Sequence, residues 1–79
     1  MNTIAEQWAL FERAVMPKDA PLVQRQEMRR AFYSGCEAML RMQWGIGDKA
    51  VSEDAGVQMM EGWHDECRRF AHQVATGAA

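Results

Sequence analysis

Residues 19–44 have the sequence DAPLVQRQEMRRAFYSGCEAMLRMQW, in which apolar side chains recur at spacings of four and three residues. This spacing is the period of one face of an α-helix. Asp19 suits an N-cap, and Pro21 suits the first turn, where the missing N–H of proline costs no hydrogen bond. The stretch predicts a long helix over 19–44, with a heptad-like seam. The seam comprises Met28, Phe32, Gly35, Met39, Met42 and Ile46.

A shorter helix is predicted ahead of this stretch, over residues 3–16. Thr3 and Glu6 fit a capping box, in which the Thr hydroxyl accepts from the Glu amide and the Glu carboxylate reaches back. Pro17 ends the helix, because the residue before a proline is disfavoured in the α region. So short a helix is marginal alone, and its apolar stripe must be covered by another element or another subunit. The stripe comprises Ile4, Trp8, Phe11 and Val15.

A third helix is predicted over residues 53–75. The glycines at 45 and 47 interrupt the second helix, and Ser52 or the neighbouring acids can cap the next start. Two helices with matching seams and a short loop pack antiparallel. We therefore expect a single all-α domain over 1–79, in which a short N-terminal helix precedes an antiparallel two-helix hairpin. The third seam comprises Met60, Trp63, Cys67, Phe70 and Val74.

The length of the chain favours self-association. A folded chain of 79 residues buries only about 60% of its unfolded surface, and natural proteins of this size add disulfides, a metal or partner subunits. Cys36 and Cys67 both lie in helical patterns, and no secretory signal pattern is present, so we expect reduced thiols in a cytoplasm. No run approaches the ~20 apolar residues of a membrane span. We expect a homo-oligomer, with Gly35 as a point where another helix or a large side chain comes close.

Sequence motifs of catalysis and metal binding are missing. The chain has no Gly-rich phosphate loop, no paired-cysteine zinc motif and no nucleophile elbow. Glu61 and His64 form one Glu-x-x-His motif, whereas a di-iron bundle needs two of them and two further glutamates. We expect no metal and no cofactor, and the missing motifs argue against catalysis.

The charge distribution points to one candidate site. The net charge is −2, yet residues 18–30 are basic and residues 48–66 are acidic. Arg25 and Arg29 share a helix face, and Arg30 is adjacent. Guanidinium groups bind phosphate in a bidentate way, while Gln24, Gln26 and the aromatics Trp8, Phe11 and Tyr33 offer further donors and stacking surfaces. The alternative is that these arginines are solvated or pair with the acidic segment.

The block from Met28 to Gly35, MRRAFYSG, resembles a family of small phage proteins. It is similar to the helical-hairpin domain of phage sponges that counter bacterial CBASS and Thoeris defence, and the resemblance extends over about residues 17–72. It implies a non-enzymatic protein of the host cytoplasm that sequesters cyclic di- or trinucleotide messengers. It also implies an oligomer, commonly a hexamer, with ligand sites between protomers.

The resemblance implies phosphate contacts for the arginines, aromatic contacts from the leading helix, and packing roles for Phe32 and Gly35. Two other functions stay open: an inhibitor that binds a host defence protein through a helix face, and a structural phage protein without a small ligand. DNA binding is disfavoured, because a basic excess and a recognition helix are lacking. The candidate ligand-binding residues are Arg25, Arg29, Arg30, Trp8, Phe11 and Lys18.

Overall fold

The computed structural model describes residues 2–79, which form three helices: α1 (Ile4–Val15), α2 (Leu22–Ile46) and α3 (Glu53–Ala75). No strand occurs among residues 2–79, so the predicted all-α class is confirmed. The chain divides into two compact units, the first running through Met42 and the second from Gln43 to Ala79. The hairpin of α2 and α3 and the oligomer stay predictions.

The N-terminus of α1 is capped as its sequence predicts. The Glu6 amide donates to the Thr3 hydroxyl oxygen at 3.1 Å, and the Thr3 hydroxyl donates to the Glu6 carboxylate at 2.9 Å. At the other end, the Met16 amide donates to the Glu12 carbonyl at 3.0 Å, and Pro17 follows. Local hydrogen bonds and the proline thus set both ends of this short helix.

The start of α2 differs from the sequence prediction. Asp19 lies in the turn before α2, and the first helical residue is Leu22. The N-cap prediction for Asp19 is therefore wrong, because Pro21 pushes Ala20 out of the α region and delays the helix. The Pro21 carbonyl accepts the first bond, from the Arg25 amide at 3.1 Å. At α3 the cap is Ser52, one of the candidates that the sequence offered, since its side chain accepts from the Ala55 amide at 3.1 Å.

An aromatic cluster forms the core of the first unit. The Trp8 ring centre lies 5.5 Å from that of Phe32 and 5.7 Å from that of Phe11, and Phe11 lies 5.4 Å from Phe32. Trp8 is only 8% exposed. α2 therefore covers the middle of the α1 stripe. Met16, which lies past the end of α1 and outside the helical spacing, is also buried.

Much of the apolar surface remains exposed. Among residues 2–79, Trp8 and Met16 are the buried apolar side chains. Large side chains of all three helices are more than one third exposed. Isolated exposed apolar residues are ordinary, but contiguous ones mark surfaces for partners. The most exposed of them are Val15, Leu22, Val23, Trp44, Val57 and Phe70.

A close approach that was not predicted lies at Gly56, whereas none lies at Gly35 within residues 2–79. A Cβ atom added at Gly35 would meet no described atom within 4 Å, whereas one added at Gly56 would lie 2.7 Å from Cγ2 of Ile46. Gly56 is buried. The absent side chain at Gly56 therefore allows Ile46, at the end of α2, to pack directly against the first turn of α3.

Alanine substitutions at these two glycines are expected to act in opposite directions. Gly35→Ala should raise the free energy of unfolding by up to about 1 kcal/mol, because alanine favours the helix and meets no neighbour. Gly56→Ala should lower it by roughly 1 kcal/mol or more, because the stiff β-branched Ile46 must move. Thermal unfolding followed by circular dichroism measures both. A destabilising Gly35→Ala would indicate that another helix, or another copy of the chain, packs at Gly35.

Candidate anion-binding site

Two arginines line an open recess on the outer face of α2. Arg29, Arg30 and Tyr33 follow Gln26 at three, four and seven residues. All four therefore share one face of the helix. Together they line a depression of about 410 Å³, within the size range of small-molecule sites. We call it the arginine recess.

The guanidinium groups of the arginine recess are unpaired. Within residues 2–79, the side chains of Arg29 and Arg30 form no ion pair and donate no hydrogen bond. The guanidinium carbon of Arg29 lies 5.5 Å from the centre of the Tyr33 ring. This cation–π contact orients the guanidinium and leaves its N–H edge available. Two adjacent, unpaired guanidinium groups beside a ring favour a bidentate oxyanion such as phosphate.

Arg25 has a different role from its two neighbours. Its guanidinium donates to the Pro17 carbonyl at 2.8 Å, the Lys18 carbonyl at 3.0 Å and the Ala20 carbonyl at 3.4 Å. It also lies 3.5 Å from the carboxylate of Glu12. These carbonyls belong to the turn that follows α1, where backbone acceptors lack helical partners. Arg25 therefore joins the start of α2 to the end of α1.

The loss of Arg25 should destabilise the first unit. Arg25→Ala leaves three carbonyl acceptors without their charged donor and is expected to lower the free energy of unfolding by about 1–3 kcal/mol, measured by urea denaturation. The matched control is Arg41→Ala, which removes an exposed ion pair with Glu37 one turn away and should cost at most about 0.5 kcal/mol. Equal losses for the two variants would contradict the assigned role of Arg25.

A second recess lies between α1 and α2. It has a volume of about 290 Å³, and we call it the α1–α2 recess. It adjoins the arginine recess, because Gln26 and Arg29 line both. No sequence pattern marks Glu12 or Leu22 as part of this recess, since no helical spacing relates residues on opposite sides of a turn. The lining residues are Trp8, Glu12, Leu22, Arg25, Gln26 and Arg29.

The other predicted site residues lie outside the arginine recess. Trp8 reaches the α1–α2 recess, but its ring is buried against Phe11 and Phe32. Phe11 is half-buried in the same cluster. Lys18 is exposed in the turn, where its carbonyl accepts from Arg25. The structure therefore brings Arg29 and Arg30 together, directs Arg25 to the backbone, and packs the two aromatics of α1 into the core.

A separate basic recess occurs on α3. It is lined by Arg68, Arg69, His72 and Gln73 and has a volume of about 360 Å³. Basic residues near the C-terminus of a helix also complement the helix dipole, which explains their position without a ligand. Unlike the arginine recess, this recess has no Phe, Tyr or Trp side chain among its lining residues.

Within residues 2–79, the cysteines form no disulfide, and the acidic residues form no metal site. Both cysteines are free; Cys36 is half-buried, and Cys67 is exposed rather than buried as its apolar spacing indicated. Within residues 2–79, no group of three or more His, Cys, Asp or Glu side chains is placed to hold a metal ion. In the same part of the chain, no helix is both long enough and apolar enough to cross a membrane.

Comparisons with known proteins returned no relative. The chain matches no protein-family model, and neither a curated protein nor a solved structure matches it significantly.

Proposed function

We propose that this chain is a phage anti-defence protein that binds and sequesters cyclic oligonucleotide immune messengers in the host cytoplasm without cleaving them. The observation that carries the proposal is the pair of unpaired guanidinium groups, Arg29 and Arg30, in the arginine recess. Each cyclic messenger carries phosphodiester anions and aromatic bases, and the recess offers cations beside the Tyr33 ring. The resemblance of the surrounding block to phage sponges supports the same assignment.

Binding without cleavage agrees with the chemistry of the recess. Gln26, Arg29, Arg30 and Tyr33 supply hydrogen-bond donors, positive charge and a ring face. A cyclic ligand has already lost much of its conformational freedom, so a rigid site binds it at a small further entropic cost. Sequestration by many copies of such a site lowers the free messenger concentration without any chemical step.

The proposed ligand site requires an oligomer. The arginine recess is open, and one face of one helix encloses little of a ligand, so a second protomer is needed to cover it. The exposed apolar side chains, among them Leu22 and Phe70, supply surface for such contacts. We propose a homo-oligomer, with a hexamer as the resemblance implies, and an antiparallel hairpin of α2 and α3 within each chain.

Arg29→Ala tests the ligand site. The variant loses a charge-assisted contact worth about 1.5–3 kcal/mol, so each site should bind roughly tenfold more weakly or worse. Arg29→Lys should restore binding only in part, because an ammonium lacks the planar, two-pronged geometry. Isothermal titration of the folded protein with cyclic di- and trinucleotides, selected from a thermal-shift panel that includes ADP-ribose derivatives, measures both effects.

Two substitutions serve as controls for that titration. Arg41→Ala removes an arginine already paired with Glu37, and Arg68→Ala removes one from the separate recess on α3. Both should leave cyclic nucleotide binding nearly unchanged. If Arg41→Ala weakens binding as much as Arg29→Ala, the attraction is a general effect of charge. If folded wild-type protein releases no heat with any cyclic nucleotide, the proposal fails.

Sedimentation velocity tests whether the protein forms the proposed oligomer. Sedimentation velocity at micromolar concentration should show assemblies larger than one chain, because a monomer leaves side chains such as Trp44, 83% exposed, in water. Phe70→Asp should shift the distribution towards monomer if α3 contributes to the contact, whereas Thr76→Asp near the end of the chain should not. A well-folded wild-type monomer would overturn this part of the proposal.

A second function is supported by the same exposed surface. Leu22, Leu40 and Trp44 lie on α2 and are between 51% and 83% exposed. Helix faces of this kind dock into grooves on partner proteins, which suits a small phage inhibitor of a host defence protein. That function predicts a stable complex with the host protein and no thermal shift with nucleotides. The sponge predicts the reverse, so the thermal-shift panel separates them.

A further inference from the structure

Tyr33 connects the arginine recess to the aromatic core of the first unit. Its ring centre lies 6.3 Å from that of Phe32, and the two ring planes make an angle of 69°. Phe32 in turn packs against Trp8 and Phe11. Edge-to-face contact is a favoured geometry for aromatic pairs, so it restricts the orientation of the half-buried Tyr33 side chain. The recess thus has a ring whose position is set by the core.

The two arginines of the recess differ in their relation to this ring. Arg29 precedes Tyr33 by four residues, about one helical turn, so the two side chains lie next to each other. The guanidinium carbon of Arg29 is 5.5 Å from the ring centre. Arg30 precedes Ser34 by the same interval, and within residues 2–79 its guanidinium makes no cation–π contact. Tyr33 therefore restrains one guanidinium group and leaves the other free.

We infer that Tyr33 is a positioning residue, which holds the Arg29 guanidinium ready for an oxyanion instead of stacking on a ligand base. The inference rests on the phosphate site of the proposed function. An arginine side chain loses rotamer freedom when a ligand immobilises it, and a contact that restrains it beforehand lowers that cost. The N–H groups of a guanidinium lie in its plane, so a ring that faces the group leaves them available to two phosphate oxygens. Tyr33 should therefore strengthen the binding of a phosphate that carries no base.

The experiment uses inorganic pyrophosphate as the probe, because it has phosphate oxygens and no base, and measures its affinity by isothermal titration. Tyr33→Leu, which keeps a good helix former at this position, should weaken binding about threefold, the size of an exposed cation–π contact. Tyr33→Phe keeps the ring and should bind with nearly wild-type affinity. A ring that stacks only on a base would leave the pyrophosphate affinity of Tyr33→Leu unchanged, and that result would overturn the inference. Equal losses in the two variants would also overturn it, because the phenol hydroxyl would then be the contact.

Substitutions of the two arginines show whether Tyr33 acts through Arg29. Adding Tyr33→Leu to Arg29→Ala should cause no further loss of pyrophosphate affinity, whereas adding it to Arg30→Ala should cause the same loss as in wild type. A further loss in the Arg29→Ala background would indicate a general structural role for Tyr33 and would contradict the inference. Circular dichroism checks that each variant is folded.

Nuclear magnetic resonance of the ligand-free protein gives a readout that is independent of affinity. The Nε–H resonance of Arg29 should shift on Tyr33→Leu substitution and that of Arg30 should not, because a ring shields the group that it faces. If folded wild-type protein binds cyclic nucleotides but not pyrophosphate, the inference is overturned and the proposed function stands. If it binds pyrophosphate but no cyclic nucleotide, only the proposed function fails. If it binds neither, both fail.

Discussion

The packing of Trp8 and Phe11 against Phe32 is the contact on which the first unit depends. α1 has 12 residues, too few to be a stable helix in water without tertiary contacts. The ring contacts bring α1 and α2 together, and the turn between them then acquires a fixed geometry. Only in that geometry do three backbone carbonyls converge on Arg25. The aromatic core thus indirectly determines which arginine is bound to the backbone.

The arginines of α2 have two different roles, which depend on their positions along the helix. Arg25 is 28% exposed, and its partial burial is compensated by carbonyl acceptors and a carboxylate. Arg29 and Arg30 lie on a face without such acceptors, so their positive charge is unneutralised within the described chain. Adjacent like charges raise the free energy of the unliganded site, and an oxyanion relieves that repulsion.

The exposed apolar side chains favour association with a partner. Trp8 and Met16 are buried, while large side chains such as Trp44 and Phe70 are more than half exposed. Such surface is costly in water at about 25 cal/mol per Å², and contiguous patches usually have a partner. An open recess lined by two arginines, on a chain with exposed apolar side chains, supports the proposal of a binding protein whose sites are completed by association.

Sequence by itself determined the helical class, the cap at Thr3 and the extent of α3, because caps and the 3.6-residue period depend on groups only a few positions apart. It also placed Arg29 and Arg30 together on one helix. Only the tertiary structure decided that Arg25 contacts Glu12, that Trp8 is buried, and that Ile46 comes close to Gly56. These contacts join residues on different helices, and no local spacing encodes the distance between them.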